Sequence, residues 1–158
     1  MAPDRWRECL AAFYAFFEAH YDEQAQPYAG IDELLAFIAA RGLETAIVTG
    51  AGRRCVDLTV DKLGLAERIG RVAIGSQQGP RKPRQLIGLA RGWGLASSQV
   101  AYVGDFPSDM VAARAAGALP LGAAWDPGAD AAGLRDAGAL AVFAAPHELR
   151  RWLERRDR

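Results

Sequence analysis

The chain has 158 residues, 51% of them apolar and 24% charged, and its 19 basic and 19 acidic side chains cancel to a formal net charge of zero. That length suits one domain built around one sizeable core. The charge balance gives no electrostatic pull toward nucleic acid or an acidic membrane, and no apolar run approaches the roughly 20 residues needed to span a bilayer.

The N-terminal MAPDRWRECLAAF lacks a signal-peptide layout, because charges interrupt its apolar part and an amphipathic pattern continues from it. Cys9 and Cys55 form neither a zinc spacing nor a redox pair, so they read as buried or idle thiols in a reducing compartment. A soluble cytoplasmic protein is the expectation. Residues 4–22 read as a helix, with Trp6, Leu10, Phe13, Phe17 and Tyr21 on one aromatic-rich face. Pro27 and Gly30 break the chain, and residues 31–40 form a second amphipathic helix closed by Gly42.

The run TAIVT (45–49) has the apolar, partly β-branched character of a buried strand. Gly50 and Gly52 turn it into a helix over 53–63, which stops at Gly64. RVAIG (71–75) is a second strand, and Gly79 and Pro80 mark a loop. Pro83 sits where a helix can start, and 85–93 continue it. QVAYVGD (99–105) is a third strand, followed by a helix over 107–116 that ends at Gly117. A fourth strand lies within 118–125, a short helix over 129–137 and a fifth strand over 139–144. A closing helix covers 146–154, and the charged tail RRDR is expected to fray. Strands alternating with helices of this length predict an α/β fold, a mainly parallel sheet with helices on both faces.

Ligands in such folds sit at the carboxyl ends of the strands. Three of those ends carry useful chemistry. Thr49-Gly50 offers a hydroxyl and backbone N–H groups suited to phosphate oxygens. The loop after the second strand carries Lys82, a charge able to neutralise phosphate. Asp105 and Asp109 follow the third strand, and two carboxylates four residues apart can share a Mg²⁺ ion, directly or through water. Taken singly, each has an ordinary reading: a strand-end hydroxyl, a solvated lysine, a helix cap. Arg53 and Arg54 open the next helix, either toward an anionic substrate or on a solvated face. His20 and His147 lack a ligand pattern, and Trp125 reads as packing at the end of the fourth strand.

The runs PYAGIDELLAFIAARGLETAIVTG, RKPRQL and VAYVGDFPSDMVAARAAG resemble the haloacid dehalogenase (HAD) superfamily, and within it the phosphoglycolate-phosphatase-like branch. The resemblance implies a HAD-like Rossmannoid three-layer sandwich that hydrolyses a small phosphate monoester, a phosphorylated metabolite, with Mg²⁺. It implies that Thr49 contacts the phosphoryl group, with Gly50 and Arg53 as candidate substrate contacts by position beside it, that Lys82 before Pro83 steadies it, and that Asp105 and Asp109 hold the metal.

One departure accompanies these matches. The family carries a DxDGT motif at the end of an N-terminal strand, its first Asp the nucleophile and its second the general acid/base. No Asp-x-Asp occurs in this chain, and Asp4, in APDRWR, follows no apolar strand. The chain therefore looks like a family member without its first central strand, its nucleophile and most of its helical cap. Residues 1–26 resemble the end of that cap and residues 27–158 the core. The alternative reading is an inactive HAD-like domain that binds a phosphorylated ligand or a protein partner, or a gene fragment with no activity. A missing central strand leaves edges that invite a homodimer or a partner chain to fill the slot.

Overall fold

The computed structural model describes residues 3–75 and 81–156. The elements in chain order are α1 (Pro3–Gln24), α2 (Ile31–Ala40), β1 (Ala46–Val48), α3 (Arg53–Lys62), β2 (Arg71–Ala73) and α4 (Lys82–Gly92). A 3₁₀ turn (Ser97–Gln99) leads into β3 (Ala101–Gly104), and then follow α5 (Pro107–Ala116), β4 (Leu119–Ala123), α6 (Ala131–Asp136), β5 (Ala141–Phe143) and α7 (Pro146–Arg156). The five strands and seven helices expected from the hydrophobic pattern are all present. The loop expected at Gly79-Pro80 lies outside the described residues.

Strand alternation explains the layers. On β3, Tyr102 points to a cluster with Leu86 of α4, Ala113 and Ala116 of α5, and Ala118, with Val48 and Ile87 packed against it. Its neighbour Val103 points the other way, to Leu34 of α2, Leu121 of β4, Phe143 of β5 and Leu149 of α7. Helices α4 and α5 therefore cover one face and α2 and α7 the other, the three-layer α/β arrangement. Leu121, Leu134, Met110 and Ala113 are fully buried, and they anchor the half of the molecule built on β3, β4 and β5.

The sheet is in two pieces. Strands β3, β4 and β5 pair in parallel, with Ala101 opposite Leu119 and Leu121 opposite Ala141. Strands β1 and β2 pair in parallel, with Ala46 opposite Arg71. Among the described residues no backbone ladder joins β1 to β3. Strands β1 and β3 have not closed up on each other.

Helix α1 lies on α3. The Tyr21 hydroxyl donates to Thr59 Oγ1 at 2.8 Å, and Arg54 pairs with Glu18 at 2.7 Å while its guanidinium lies over the Tyr14 ring. The half-buried stripe is thus Leu10, Tyr14, Phe17 and Tyr21, whereas Trp6 and Phe13 are exposed. The expected aromatic face is rotated, because α3 offers its polar side to Tyr14 and Tyr21. Cys9 is exposed and Cys55 half-buried, both free thiols.

Several boundaries differ from expectation, with β2 ending at Ala73 and β5 covering Ala141–Phe143, and two of the differences have a local cause. Gln99 belongs to the 3₁₀ turn and not to the third strand, because its side-chain Oε1 accepts from the Ala96 amide at 2.9 Å. Of the tail RRDR expected to fray, Asp157 and Arg158 lie outside the described residues, while α7 continues through Arg156, whose guanidinium lies 4.2 Å from the centre of the Trp152 ring. Basic residues in a last turn also complement the helix dipole. Among the described residues no helix is long and apolar enough to cross a membrane.

Candidate active site

Thr49 extends β1 by one residue. Its amide donates to Ala73 O at 3.0 Å, and its Oγ1 accepts from the Ala51 amide at 3.1 Å, which fixes the turn toward α3. The same turn is bound to the end of β2, where the Gly75 amide donates to Ala51 O at 3.0 Å. A Cβ at Gly75 would overlap the Gly50 carbonyl, so only glycine permits this approach. The result is a compact strand end, with Thr49 half-buried and Gly50 open to solvent.

A second strand end is built around Asp109. This residue is 2% exposed and lies in the first turn of α5, where a carboxylate complements the helix dipole. Its Oδ2 accepts from the Phe106 amide at 3.3 Å, one half of a capping box. Its Oδ1 accepts from Lys82 Nζ at 2.5 Å and from the Tyr102 hydroxyl at 3.1 Å. Lys82 is the first residue of α4, with Pro83 beside it, a position where proline costs no hydrogen bond. A Cβ at Gly104 would collide with the Asp109 side chain, so the strand must end on glycine for the carboxylate to tuck in.

The electrostatics follow from that burial. Burial, joined by the Asp109 charge, pushes the Tyr102 phenol up to about 12 against a smaller opposing effect of Lys82. Burial works against the Lys82 charge, but the hydrogen bond to Asp109 and the neighbouring negative charge together outweigh it, and the ammonium is held above its ordinary value. At neutral pH the site therefore contains a charged Lys82 and a protonated Tyr102. The Tyr102 oxygen also lies 3.4 Å from the Val48 carbonyl, so this one side chain links the end of β1 to the end of β3.

Asp105 leaves β3 with its carboxylate exposed. Nearby, the Tyr28 hydroxyl donates to Asp126 Oδ2 at 2.7 Å. That bond first, then slight burial and the charges of Asp126 and Asp105, raise the Tyr28 phenol. Asp126 is lowered by the Tyr28 bond and then by the Gly128 amide. Trp125 packs beside Tyr28 and on the α2/α7 side of the core.

The structure thus brings Lys82 and Asp109 into direct contact and ties Thr49 to them through Val48 and Tyr102. Asp105 flanks the group. Arg53 is engaged along its own helix, with its Nη1 3.3 Å from Asp57 Oδ1 on an exposed face. Arg54 is taken by Glu18. Two features escaped the sequence reading: Tyr102, whose strand position marks it only as inward-facing, and the Tyr28–Asp126 pair, whose partners are 98 residues apart.

A hard cation at this site would find one open carboxylate. Among the described residues no group of three His, Cys, Asp or Glu side chains is placed to hold a metal ion. Both oxygens of Asp109 carry hydrogen bonds, whereas Asp105 is free to solvent. One solvent-open carboxylate is compatible with a largely hydrated Mg²⁺, which commonly keeps several waters and takes one or two carboxylates.

Comparison with known proteins identifies the family. The profile of the haloacid dehalogenase-like hydrolases matches residues 3–122. A phosphoglycolate phosphatase of Xanthomonas campestris pv. campestris is 34% identical over 122 residues, covering 75% of this chain and 55% of its own length. The chain thus spans little more than half the length of that curated relative. The crystal structure of a predicted phosphoglycolate phosphatase from Haemophilus somnus superposes with a TM-score of 0.82 at 19% identity, over 97% of this chain and 68% of the other. A HAD family hydrolase from Deinococcus radiodurans, solved with bound phosphate and sodium, gives a TM-score of 0.71 at 28% identity, over 79% and 58% of the two chains. The paired strand ends, the Lys82–Asp109 contact and a profile match over most of the length lead to one assignment: the chain belongs to the haloacid dehalogenase-like hydrolase family.

Proposed function

We propose that the site at the carboxyl ends of β1 and β3 takes a small phosphate monoester and supports its Mg²⁺-dependent hydrolysis. The observation that carries this reading is Lys82, a cation fixed on the buried Asp109 beside the Thr49 strand end. The relatives named phosphoglycolate phosphatase and the phosphate-bound neighbour support the substrate class, a small phosphorylated metabolite. The Thr49 hydroxyl and the open Gly50 backbone would take phosphoryl oxygens, and Arg53 would have to leave Asp57 to join them. Lys82 offsets the charge that develops on those oxygens. Asp105, with Asp109 behind it, would hold Mg²⁺, which when bound supplies further charge neutralisation.

A second reading is favoured by one observation. The buried carboxylate at the site is committed to Lys82, Tyr102 and the Phe106 amide. On this reading the domain binds the phosphorylated ligand, or a protein partner, without turnover. Phosphate release from p-nitrophenyl phosphate and from 2-phosphoglycolate, measured with Mg²⁺ and with EDTA, separates the two. Mg²⁺-dependent release that disappears in Asp105→Asn supports hydrolysis. Its absence, with Mg²⁺-dependent phosphate binding retained, supports the binding reading.

A further inference from the structure

We infer that Tyr102 is a positioning residue for the phosphate site: its hydroxyl fixes the Asp109 carboxylate and, through it, aims the Lys82 ammonium beside the Thr49 strand end. The inference rests on the reading of that site as one that takes a phosphate monoester, and adds to it a buried group that acts through its neighbours. Lysine carries a point charge on a flexible four-carbon stem, so the stem does not decide where the charge sits. The head of Lys82 is held at Asp109 Oδ1, at 2.5 Å. Its Nζ lies 6.0 Å from the centre of the Tyr102 ring, the outer limit of cation–π attraction, so the ring face adds little. An ammonium has three N–H donors, and the one spent on Oδ1 constrains the directions of the other two. With 28% of its side chain exposed, Lys82 keeps access to a ligand from the solvent side. The aim of the charge therefore depends on where Oδ1 is held.

The Asp109 side chain is pressed against Gly104, where no Cβ fits, so it cannot shift bodily toward β3. Rotation of the carboxylate remains. Its Oδ2 is tied to the Phe106 amide at 3.3 Å, a long bond that restrains rotation weakly. Tyr102 supplies the second anchor, with its hydroxyl 3.1 Å from Oδ1. That anchor is rigid, because Tyr102 is 8% exposed and its ring is packed among Leu86, Ala113, Ala116 and Ala118. The same hydroxyl lies 3.4 Å from the carbonyl of Val48, the residue before Thr49. One oxygen is thus referenced to both halves of the site, the strand end that carries Thr49 and the helix start that carries Asp109. Burying a hydroxyl costs free energy unless it is bonded, and the ring alone would fill this core. The hydroxyl is explained by what it holds.

The test uses the full chain, inorganic phosphate in metal-free buffer, calorimetry, and NMR of protein carrying ¹³C-labelled lysine and tyrosine. Lys62 and Lys82 are the only lysines, so Lys62 serves as an internal reference. In the native chain the two Hε protons of Lys82 should be resolved from each other, as a held ammonium requires, and phosphate should shift the Lys82 and Tyr102 signals with one common Kd. Tyr102→Phe, under conditions where circular dichroism shows it fully folded, should bind phosphate about three- to tenfold more weakly, the range one lost hydrogen bond accounts for. It should also merge the Lys82 Hε pair. Leu134→Val trims a fully buried side chain of α6 and should lower the denaturation midpoint while leaving phosphate affinity unchanged. Native affinity in Tyr102→Phe would overturn the inference and leave the phosphate site standing. Weaker binding with the Lys82 Hε pair still resolved, or an equal weakening in Leu134→Val, would overturn it too. If Tyr102→Phe does not fold, the native chain decides: a Tyr102 signal that stays fixed while phosphate shifts Lys82 overturns the inference. A native chain that binds no phosphate would sink the reading of the site itself, and this inference with it.

Discussion

The Lys82 ammonium, carried by the first turn of α4, donates to Asp109 Oδ1, carried by the first turn of α5, at 2.5 Å. Two helix starts on one face of the sheet are thereby locked together at the place where β3 ends. Asp109 is almost wholly buried, so the contact is a structural as well as a chemical device.

Replacing Lys82 separates those roles. Lys82→Ala leaves the Asp109 carboxylate with two weaker donors, Tyr102 and the Phe106 amide, and is expected to cost about 1–3 kcal/mol in urea denaturation. It should also abolish measurable phosphate binding. Unchanged stability together with unchanged phosphate affinity would show that the ion pair does neither.

Tyr102→Phe removes a hydroxyl that touches both Asp109 and the Val48 carbonyl, and the expected loss is about 1–2 kcal/mol. The same hydroxyl sets an alkaline limit. Its folded pKa, about 12, lies above the ordinary value of 10.0. The folded state therefore holds the proton more tightly, so this contribution is complete below pH 10 and is lost as pH rises toward 12. Denaturation midpoints measured from pH 9 to 12 should fall in the native chain and fall less in Tyr102→Phe.

Gly104→Ala places a methyl group against Asp109. Overpacking of this kind is expected to cost about 1–3 kcal/mol and to displace the carboxylate from Lys82. A Gly104→Ala protein as stable as the native one, with phosphate affinity intact, would show that the tight approach is not needed.

Asp105→Asn acts differently. The carboxylate is exposed, so stability should change by no more than about 0.5 kcal/mol. Mg²⁺ affinity, followed by calorimetry, should fall at least about tenfold, since one of the hard anionic ligands is lost. A large loss of stability with Mg²⁺ binding unchanged would reverse the roles of Asp105 and Asp109.

The strand ends were legible in the sequence because local signals mark them. Thr49-Gly50, Lys82-Pro83 and Gly104-Asp105 each sit where an apolar run stops, and parallel α/β topology brings such places to one edge. What was not legible is non-local. Nothing in the spacing of Tyr102 says that its hydroxyl reaches both Asp109 and a carbonyl on β1. The Tyr28–Asp126 bond joins segments 98 residues apart, beyond any pattern of period two or 3.6. The division of the sheet was not legible in the pattern of any one strand, because strand pairing depends on what lies beside each edge. Gln99 was misplaced for the opposite reason: a local side-chain bond to the Ala96 amide competes with the strand, and the apolar run that follows conceals it.

The most direct measurement is calorimetric titration of the full chain with inorganic phosphate, with and without Mg²⁺, and with Mg²⁺ in the presence and absence of phosphate. If Thr49, Lys82 and Asp105 form one site, each ligand strengthens the other by the same factor, as linkage requires, and Asp105→Asn removes the coupling. Phosphate and Mg²⁺ that bind independently, or a coupling that survives Asp105→Asn, would contradict a shared site at the ends of β1 and β3.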